Sequence, residues 1–147
     1  MRSRSLPWCR GVPFGLLLLL PLLATGCGVG PPTPVSGKVT IDNKPLTTGL
    51  VTYRPDRNKG NNAIAEPHGT IGDDGTYTLE TDGKPGAPPG AYKVVVTAMA
   101  KPKDPKDIYA IGASLVNKKY TNEATTPFDV TVTANASAGT YDLKLMP

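Results

Sequence analysis

Cysteine, histidine and the carboxylates are the side chains best equipped for chemistry, and this chain has few places to assemble them. It has two cysteines, Cys9 and Cys27, and one histidine, His68. Cys27 stands directly behind an apolar run, where a thiolate could serve as the nucleophile for a thioether bond. His68 could act as a general base or metal ligand, but no second histidine and no cysteine beyond Cys27 exists to share an ion with it. It reads as a surface histidine after Pro67. Asp73 and Asp74 are weak candidates for calcium. That ion wants six or more oxygens, and the spacing here is not that of an EF-hand. The bland reading is a hairpin turn in which one aspartate bonds nearby backbone and Gly75 takes positive φ. Ser114 lacks the pair of glycines, one on either side, of a nucleophile elbow, and Ser36 and Ser137 have no motif around them. The acids all fall on expected solvent faces or in turns. A Lys38–Asn crosslink would need an asparagine on the last strand, which has none. The expectation is no catalytic set, no metal, no cofactor and no enzyme.

The elements around Cys27 explain its position. Arg2, Arg4 and Arg10 precede the apolar stretch Gly11–Ala24. That stretch is too short to span a bilayer, which takes about 20 apolar residues, and Pro13 and Pro21 interrupt it. It reads as a cleaved secretion signal. Its end, Leu22-Leu23-Ala24-Thr25-Gly26-Cys27, resembles the lipobox of bacterial lipoproteins. The resemblance implies cleavage between Gly26 and Cys27, a diacylglyceryl thioether on Cys27, and a further acyl chain such as palmitate on the new amino group. Covalent lipid on Cys27 would be the only attached group, and membrane lipid the first partner. Two or more acyl chains give lasting attachment. Residues 1–26 are then signal peptide and 27–34 a lipidated cysteine and flexible tether. By the same resemblance, Gly28 in place of an acidic residue leans toward the outer membrane over the inner. Because Cys9 lies inside the leader, no disulfide with Cys27 is expected. Removing the leader also removes three of the 16 basic residues, so 13 face 12 acids and the net charge falls from +4 to +1. That is too little for a nucleic-acid partner.

Behind the tether, residues 35–147 alternate apolar and polar in short runs between turn residues, with 16 prolines and 16 glycines along the chain. The alternation predicts strands at 35–42, 50–54, 65–71, 76–81, 91–98, 128–133 and 140–145. Inward positions would be Val51, Tyr53, Tyr77, Leu79, Tyr92, Val94, Val96, Ala98, Phe128, Val130, Val132, Tyr141, Leu143 and Leu145. The last two strands are expected to form a hairpin through Asn135–Gly139. Met99–Thr126 is long and irregular, with Pro102 and Pro105 excluding a helix at its start. Lys101, Lys103 and Lys106 alternate there with Asp104 and Asp107, which reads as a solvated loop. The expected fold is all-β: a single seven-stranded antiparallel β-sandwich, Ig-like or transthyretin-like.

The order of motifs resembles carboxypeptidase regulatory-like domains. Val35-Ser36-Gly37-Lys38-Val39-Thr40, Asn43-Lys44-Pro45-Leu46 and Gly49-Leu50-Val51-Thr52-Tyr53-Arg54-Pro55 look like their first hairpin. Gly69 to Tyr77 is similar to their glycine-and-acid turn, Pro89-Gly90-Ala91-Tyr92 to the start of their central strand, and Tyr141-Asp142-Leu143 to their end. The short lipoproteins of planctomycete-type bacteria are the most similar group. The resemblance implies a transthyretin-like, non-catalytic domain without a specified ligand. The expected function is therefore a membrane-tethered interaction or structural module of the cell envelope, with an envelope protein or polysaccharide as partner. A carbohydrate-binding module is the alternative, and a hydrolase the least supported reading. The expected contact loops are Asp56–Asn62 and Met99–Thr126. In the second, Tyr109 and Ile111 either meet a partner or fold back to cap the core.

Overall fold

A computed structural model describes residues 31–102, 104, 106 and 109–147, and all of its regular structure is strand apart from two short 3-10 turns. The strands are β1 (Ser36–Ile41), β2 (Lys44–Pro45), β3 (Leu50–Pro55), β4 (His68–Thr70), β5 (Thr76–Thr78), β6 (Glu80–Thr81), β7 (Lys84–Pro85), β8 (Gly90–Thr97), β9 (Asp129–Val132) and β10 (Leu143–Leu145). They form two sheets. The first has the order β10-β1-β2, with β5 also paired to β1; the second runs β7-β6-β4-β3-β8-β9. Residues of both sheets meet in one core, with Val39, Tyr77, Leu143 and Leu145 from the first and Val51, Tyr53, Tyr92, Val94, Val96 and Val132 from the second. Burying a valine or leucine side chain contributes roughly 1.5–3 kcal/mol.

The inward positions follow the period-two pattern. Val51, Tyr53, Tyr77, Leu79, Tyr92, Val94, Val96, Ala98, Val132, Tyr141, Leu143 and Leu145 are buried, and Phe128 and Val130 pack partly buried against them. Turn chemistry places the ends. Asp42 and Asn43 both adopt positive φ, 49° and 62°, and turn β1 into β2. Short polar side chains tolerate that region better than most. The run 76–81 changes sheets at Leu79. Its first half bonds β1 and its second half reaches β4 and β7. One amphipathic run therefore becomes two strands, because the chain bends where the sheets meet.

Three expectations about pairing are corrected. The domain is not wholly antiparallel, because β1 and β10 run parallel with Val39, Thr40 and Ile41 opposite Leu143, Lys144 and Leu145. The last two strands do not form a hairpin. β9 joins β8 in the second sheet and β10 joins β1 in the first, so the Asn135–Gly139 link crosses between sheets. Likewise β1 and β3 belong to different sheets, and the only tight hairpin in that stretch is β1–β2. Alternation identifies which face of a strand is buried, but both sheets offer the same apolar interior, so it does not choose the neighbour.

The open side between β9 and β10 is filled by side chains rather than by strand pairing. The 3-10 turn Lys118–Thr121 buries Tyr120, which stacks on Phe128 at 5.4 Å and whose hydroxyl accepts the Met146 N–H at 2.8 Å. Farther along, the Tyr141 hydroxyl accepts the Thr133 N–H at 3.3 Å. Both contacts occupy backbone groups at exposed edges, which otherwise invite association.

The chain joins the domain earlier than the expected boundary at residue 35. Thr33 and Ala87 exchange two backbone hydrogen bonds, of 2.8 and 2.9 Å. Gly86, at φ 100°, allows this approach, since a Cβ there would collide with the Thr33 carbonyl. Thr33 and Pro34 therefore belong to the domain, although the proline-rich composition reads as unpaired tether.

Candidate functional site

Cys27 and Gly26, the expected lipidation and cleavage positions, lie outside the described residues. Among the described residues no helix is long and apolar enough to cross a membrane.

The other chemistry-bearing residues can be placed. His68 is exposed on β4, with Nδ1 3.2 Å from the Glu66 carbonyl and Nε2 3.6 Å from a Glu80 carboxylate oxygen. Neither neighbour is a hydroxyl or thiol that the imidazole could deprotonate. A shallow depression of about 450 Å³ adjoins this pair and is otherwise lined by Gly69, Thr70, Gly72, Thr76, Tyr77 and Thr78. Asp74 closes the expected turn: its Oδ1 accepts from the Thr76 N–H and hydroxyl at 2.9 and 2.6 Å. Those bonds hold its carboxyl below the usual range. Gly75 has φ 83°. Asp73 and Asp74 thus occupy a hairpin turn, and among the described residues no group of three or more His, Cys, Asp or Glu is placed to hold a metal ion. Ser114 donates to the Val116 carbonyl, Lys38 offers its backbone N–H to Asp142 Oδ1, and the Ser137 carbonyl accepts from Thr140.

One acid departs from the expected solvent position. Asp56 is only 4% exposed. It caps the 3-10 turn Arg57–Lys59, accepting the Asn58 N–H at 3.0 Å, and its own N–H donates to the Ala91 carbonyl. An aspartate opening a short polar run closed by Gly60 is a cap signal that the sequence carries. Asp56 also belongs to an array of charges on the outer face of the second sheet. Lys93 on β8 faces Asp129 on β9 and ion-pairs with it, while Lys59 Nζ lies 3.2 Å from Asp129 and 4.0 Å from Asp56. Arg54 reaches Glu66 at 3.6 Å and Glu123 at 3.9 Å. Hydrogen bonding to Lys93 and Lys59 depresses the Asp129 carboxyl, and hydrogen bonding to Asp129 raises the Lys93 amine. Both groups are therefore held charged, the opposite of what an amide-forming lysine–carboxylate pair requires. A polar cleft of about 430 Å³ between Asn58, Lys93 and Asn122 lies beside this array.

The interior carries a second polar group, a chain of tyrosine hydroxyls. Tyr77 donates to the Tyr141 carbonyl at 2.6 Å and lies 3.0 Å from the Tyr53 hydroxyl. The Tyr77 proton is committed to that carbonyl, so Tyr53 donates to Tyr77. Burial, with the Tyr77 hydroxyl beside it, raises the Tyr53 phenol far above its usual range, and burial pushes Tyr77 up to about 12. These groups stay neutral and bind the two sheets together.

The long segment Met99–Thr126 divides into two parts. Its second part is built into the domain: Val116 and Tyr120 join the core and Thr126 donates to the Val94 carbonyl. Its first part extends β8 as a ribbon, in which Leu115 donates to the Ala98 carbonyl, Ala100 donates to the Ala113 carbonyl, and Met99 faces Ser114. Tyr109 and Ile111, in this projecting arm, are 85% and 83% exposed. They do not cap the core. Leu50 pairs with Thr97 at the arm's base, and Met146 follows β10 near Tyr120. Six of the seven exposed large apolar side chains among the described residues (Leu50, Met99, Tyr109, Ile111, Leu115 and Met146) thus belong to the end where β8 finishes, and only Ile64 does not. Thr33 joins the domain at the opposite end, beside Ala87 and the start of β8. Asp56–Asn62 lies at that opposite end too, since Asp56 and Asn61 bond the Ala91 carbonyl. The two expected contact loops are therefore separate surfaces.

No family model, curated protein or solved structure matches this chain.

Proposed function

We propose that this chain is a lipoprotein of the bacterial cell envelope, held by lipid on Cys27, whose transthyretin-like β-sandwich serves as a non-catalytic interaction module. The observation that carries the interaction reading is the concentration of exposed large apolar side chains at one end of the domain, opposite the point where Thr33 joins it. Monomeric surfaces expose such side chains singly, and clusters mark contact sites. The non-catalytic reading is supported by what the polar side chains do: Asp74, Asp56 and Ser114 are engaged in turns and caps, and His68 faces a carbonyl and a carboxylate. The leader, Cys27 and the short tether support the envelope address.

Two measurements test the reading. Metabolic labelling with a fatty-acid analogue should mark the wild type and not Cys27→Ala; equal label in both would remove the anchor. In-cell crosslinking should recover a partner that is lost when residues 101–111 are replaced by a short glycine-serine link. Replacing the whole of Met99–Thr126 would not serve, because Val116, Tyr120 and Thr126 are structural. Carbohydrate binding is less well supported, since Tyr77, Tyr92 and Tyr141 are buried and offer no row of exposed rings.

A further inference from the structure

The last strand of a sheet leaves backbone donors and acceptors without a neighbour, and proteins protect such edges with lysine, proline or very short strands. Among the described residues the two sheets end in β10 and β2, and in β7 and β9. β2 and β7 are both the dipeptide Lys-Pro, Lys44–Pro45 and Lys84–Pro85. In β10 the outward position is Lys144, because the Leu145 carbonyl turns to β1 and accepts the Asp42 N–H. The next outward N–H, of Met146, is held by the Tyr120 hydroxyl. β9 is the exception: Asp129–Val132 has neither lysine nor proline.

The free groups of β9 can be assigned. The Val94 N–H donates to the Phe128 carbonyl, and Val130 and Val132 lie opposite Tyr92 and Gly90. Alternation then turns the N–H and C=O of Asp129 and Thr131 away from β8, and among the described residues nothing bonds them. This stretch is bounded at both ends. Pro127 has no N–H, and the Thr133 N–H is taken by the Tyr141 hydroxyl. A second copy of the same edge satisfies every free group in a single register. With Val130 on a two-fold axis, Asp129 faces Thr131 of the second copy and Thr131 faces its Asp129. An axis at Asp129 would set two carboxylates opposite each other and bring up Pro127, and an axis at Thr131 would need the occupied Thr133 N–H. The side chains agree with the first register. Asp129 and Thr131 are exposed on the outer face, where a threonine hydroxyl can donate to the carboxylate opposite, and partly buried Val130 meets its counterpart on the inner face. Lys93 and Lys59 balance Asp129 and Asp56 there, so no excess of charge opposes the approach.

We infer that β9 pairs antiparallel with β9 of a second copy of this chain, joining the two six-stranded sheets into one across a two-fold axis at Val130. This edge is a surface distinct from the exposed apolar end, and the pairing does not depend on Cys27. Because antiparallel pairing sends the two Thr33 entries to opposite ends of the shared sheet, copies tethered to one membrane would pair with that sheet lying along its surface.

The test uses the full-length chain, expressed in cells and extracted in a density-matched detergent. Sedimentation equilibrium should give twice the mass of one chain. Thr131→Pro, whose lost N–H serves no bond to β8, should give the single-chain mass with far-UV circular dichroism unchanged. Thr131→Asp sets carboxylates opposite each other on both sides of the axis and should weaken the dimer about tenfold, while Thr131→Lys, opposite Asp129, should keep it. Mild oxidation of Val130→Cys should link the two copies, since residues facing each other in a pair without hydrogen bonds lie within disulfide range. The wild type under the same oxidant controls for Cys27. A single-chain mass for the wild type overturns the inference. So does a dimer that Thr131→Asp leaves as tight as the wild type, or a Val130→Cys variant that links no more than the wild type does. If Thr131→Pro does not fold, the Thr131→Asp comparison decides.

Discussion

The tyrosine chain between the sheets predicts an asymmetry that a double-mutant cycle can measure. Tyr77 gives its proton to the Tyr141 carbonyl, and Tyr53 gives its proton to Tyr77. Tyr53→Phe removes one donor and leaves only a lone pair on Tyr77 without a partner, which costs about 0.5–1.5 kcal/mol. Tyr77→Phe does more. It strands the proton of Tyr53, a side chain with no exposed surface, and takes a donor from the Tyr141 carbonyl. An orphaned buried donor costs about 1–3 kcal/mol, and with the lost carbonyl bond the total is about 2–4 kcal/mol. Against a typical domain stability of roughly 5–15 kcal/mol that is a large share. In the double variant the stranded proton is gone, so adding Tyr53→Phe to Tyr77→Phe should be neutral or restore stability. Urea unfolding followed by far-UV circular dichroism, with m-values held equal, reads all four corners of the cycle. A larger loss for Tyr53→Phe than for Tyr77→Phe, or simple additivity, would refute the donor assignment.

The same burial gives the domain an alkaline limit. Because Tyr53 and Tyr77 are raised in the folded state, with Tyr77 at about 12, their contribution is complete below the unfolded phenol value of about 10 and is lost as pH rises beyond it. Stability should fall above that pH in the wild type and less steeply in Tyr53→Phe, Tyr77→Phe, as pH-dependent urea midpoints will show. At the acid side, Asp129 is depressed by Lys93 and Lys59, so its contribution is present above the ordinary carboxylate range and lost as pH falls through it. Asp129→Asn should flatten that limb only slightly, since the pair is solvent-exposed. Gly86→Ala should cost about 1–3 kcal/mol by forcing the Thr33 strand away, seen as faster amide exchange at Thr33 and Ala87. A glycine-serine link in place of 101–111 should leave the thermal midpoint within a few degrees, because loop length enters stability only weakly. A link in place of Met99–Thr126 should yield no cooperative transition.

Much of this fold is legible in the sequence because a half-buried strand advertises its inner face every second residue. Val51 and Tyr53, then Tyr92, Val94, Val96 and Ala98, and then Tyr141, Leu143 and Leu145 are all buried as that pattern requires. Partner choice is less visible. Nothing in the Phe128–Thr133 run distinguishes a neighbour in the same sheet from one across the core, and the link to Leu143 is long enough for either. The interior half of Met99–Thr126 is hidden for a related reason: buried Val116 follows exposed Leu115 and Tyr120 stands alone among polar residues, and burial of single anchors leaves no periodicity. Tyr109 and Ile111 look similar in sequence yet remain outside. The burial of Asp56 was written in its cap pattern, whereas the charge array on the outer face depends on strand register and could not be read before the strands were paired.

The parallel contact between β1 and β10 bears on mechanics. The chain enters β1 from Thr33, whereas β10 finishes at the opposite end of the domain. A pull between the two therefore slides adjacent strands lengthwise past each other, loading the bonds of Val39–Ile41 together instead of peeling them one at a time. Shear of this kind is resisted more strongly than unzipping. A force drawn between the start of β1 and Leu145 would meet the stiffest direction of the domain first, and the outer strands of the second sheet would feel it last.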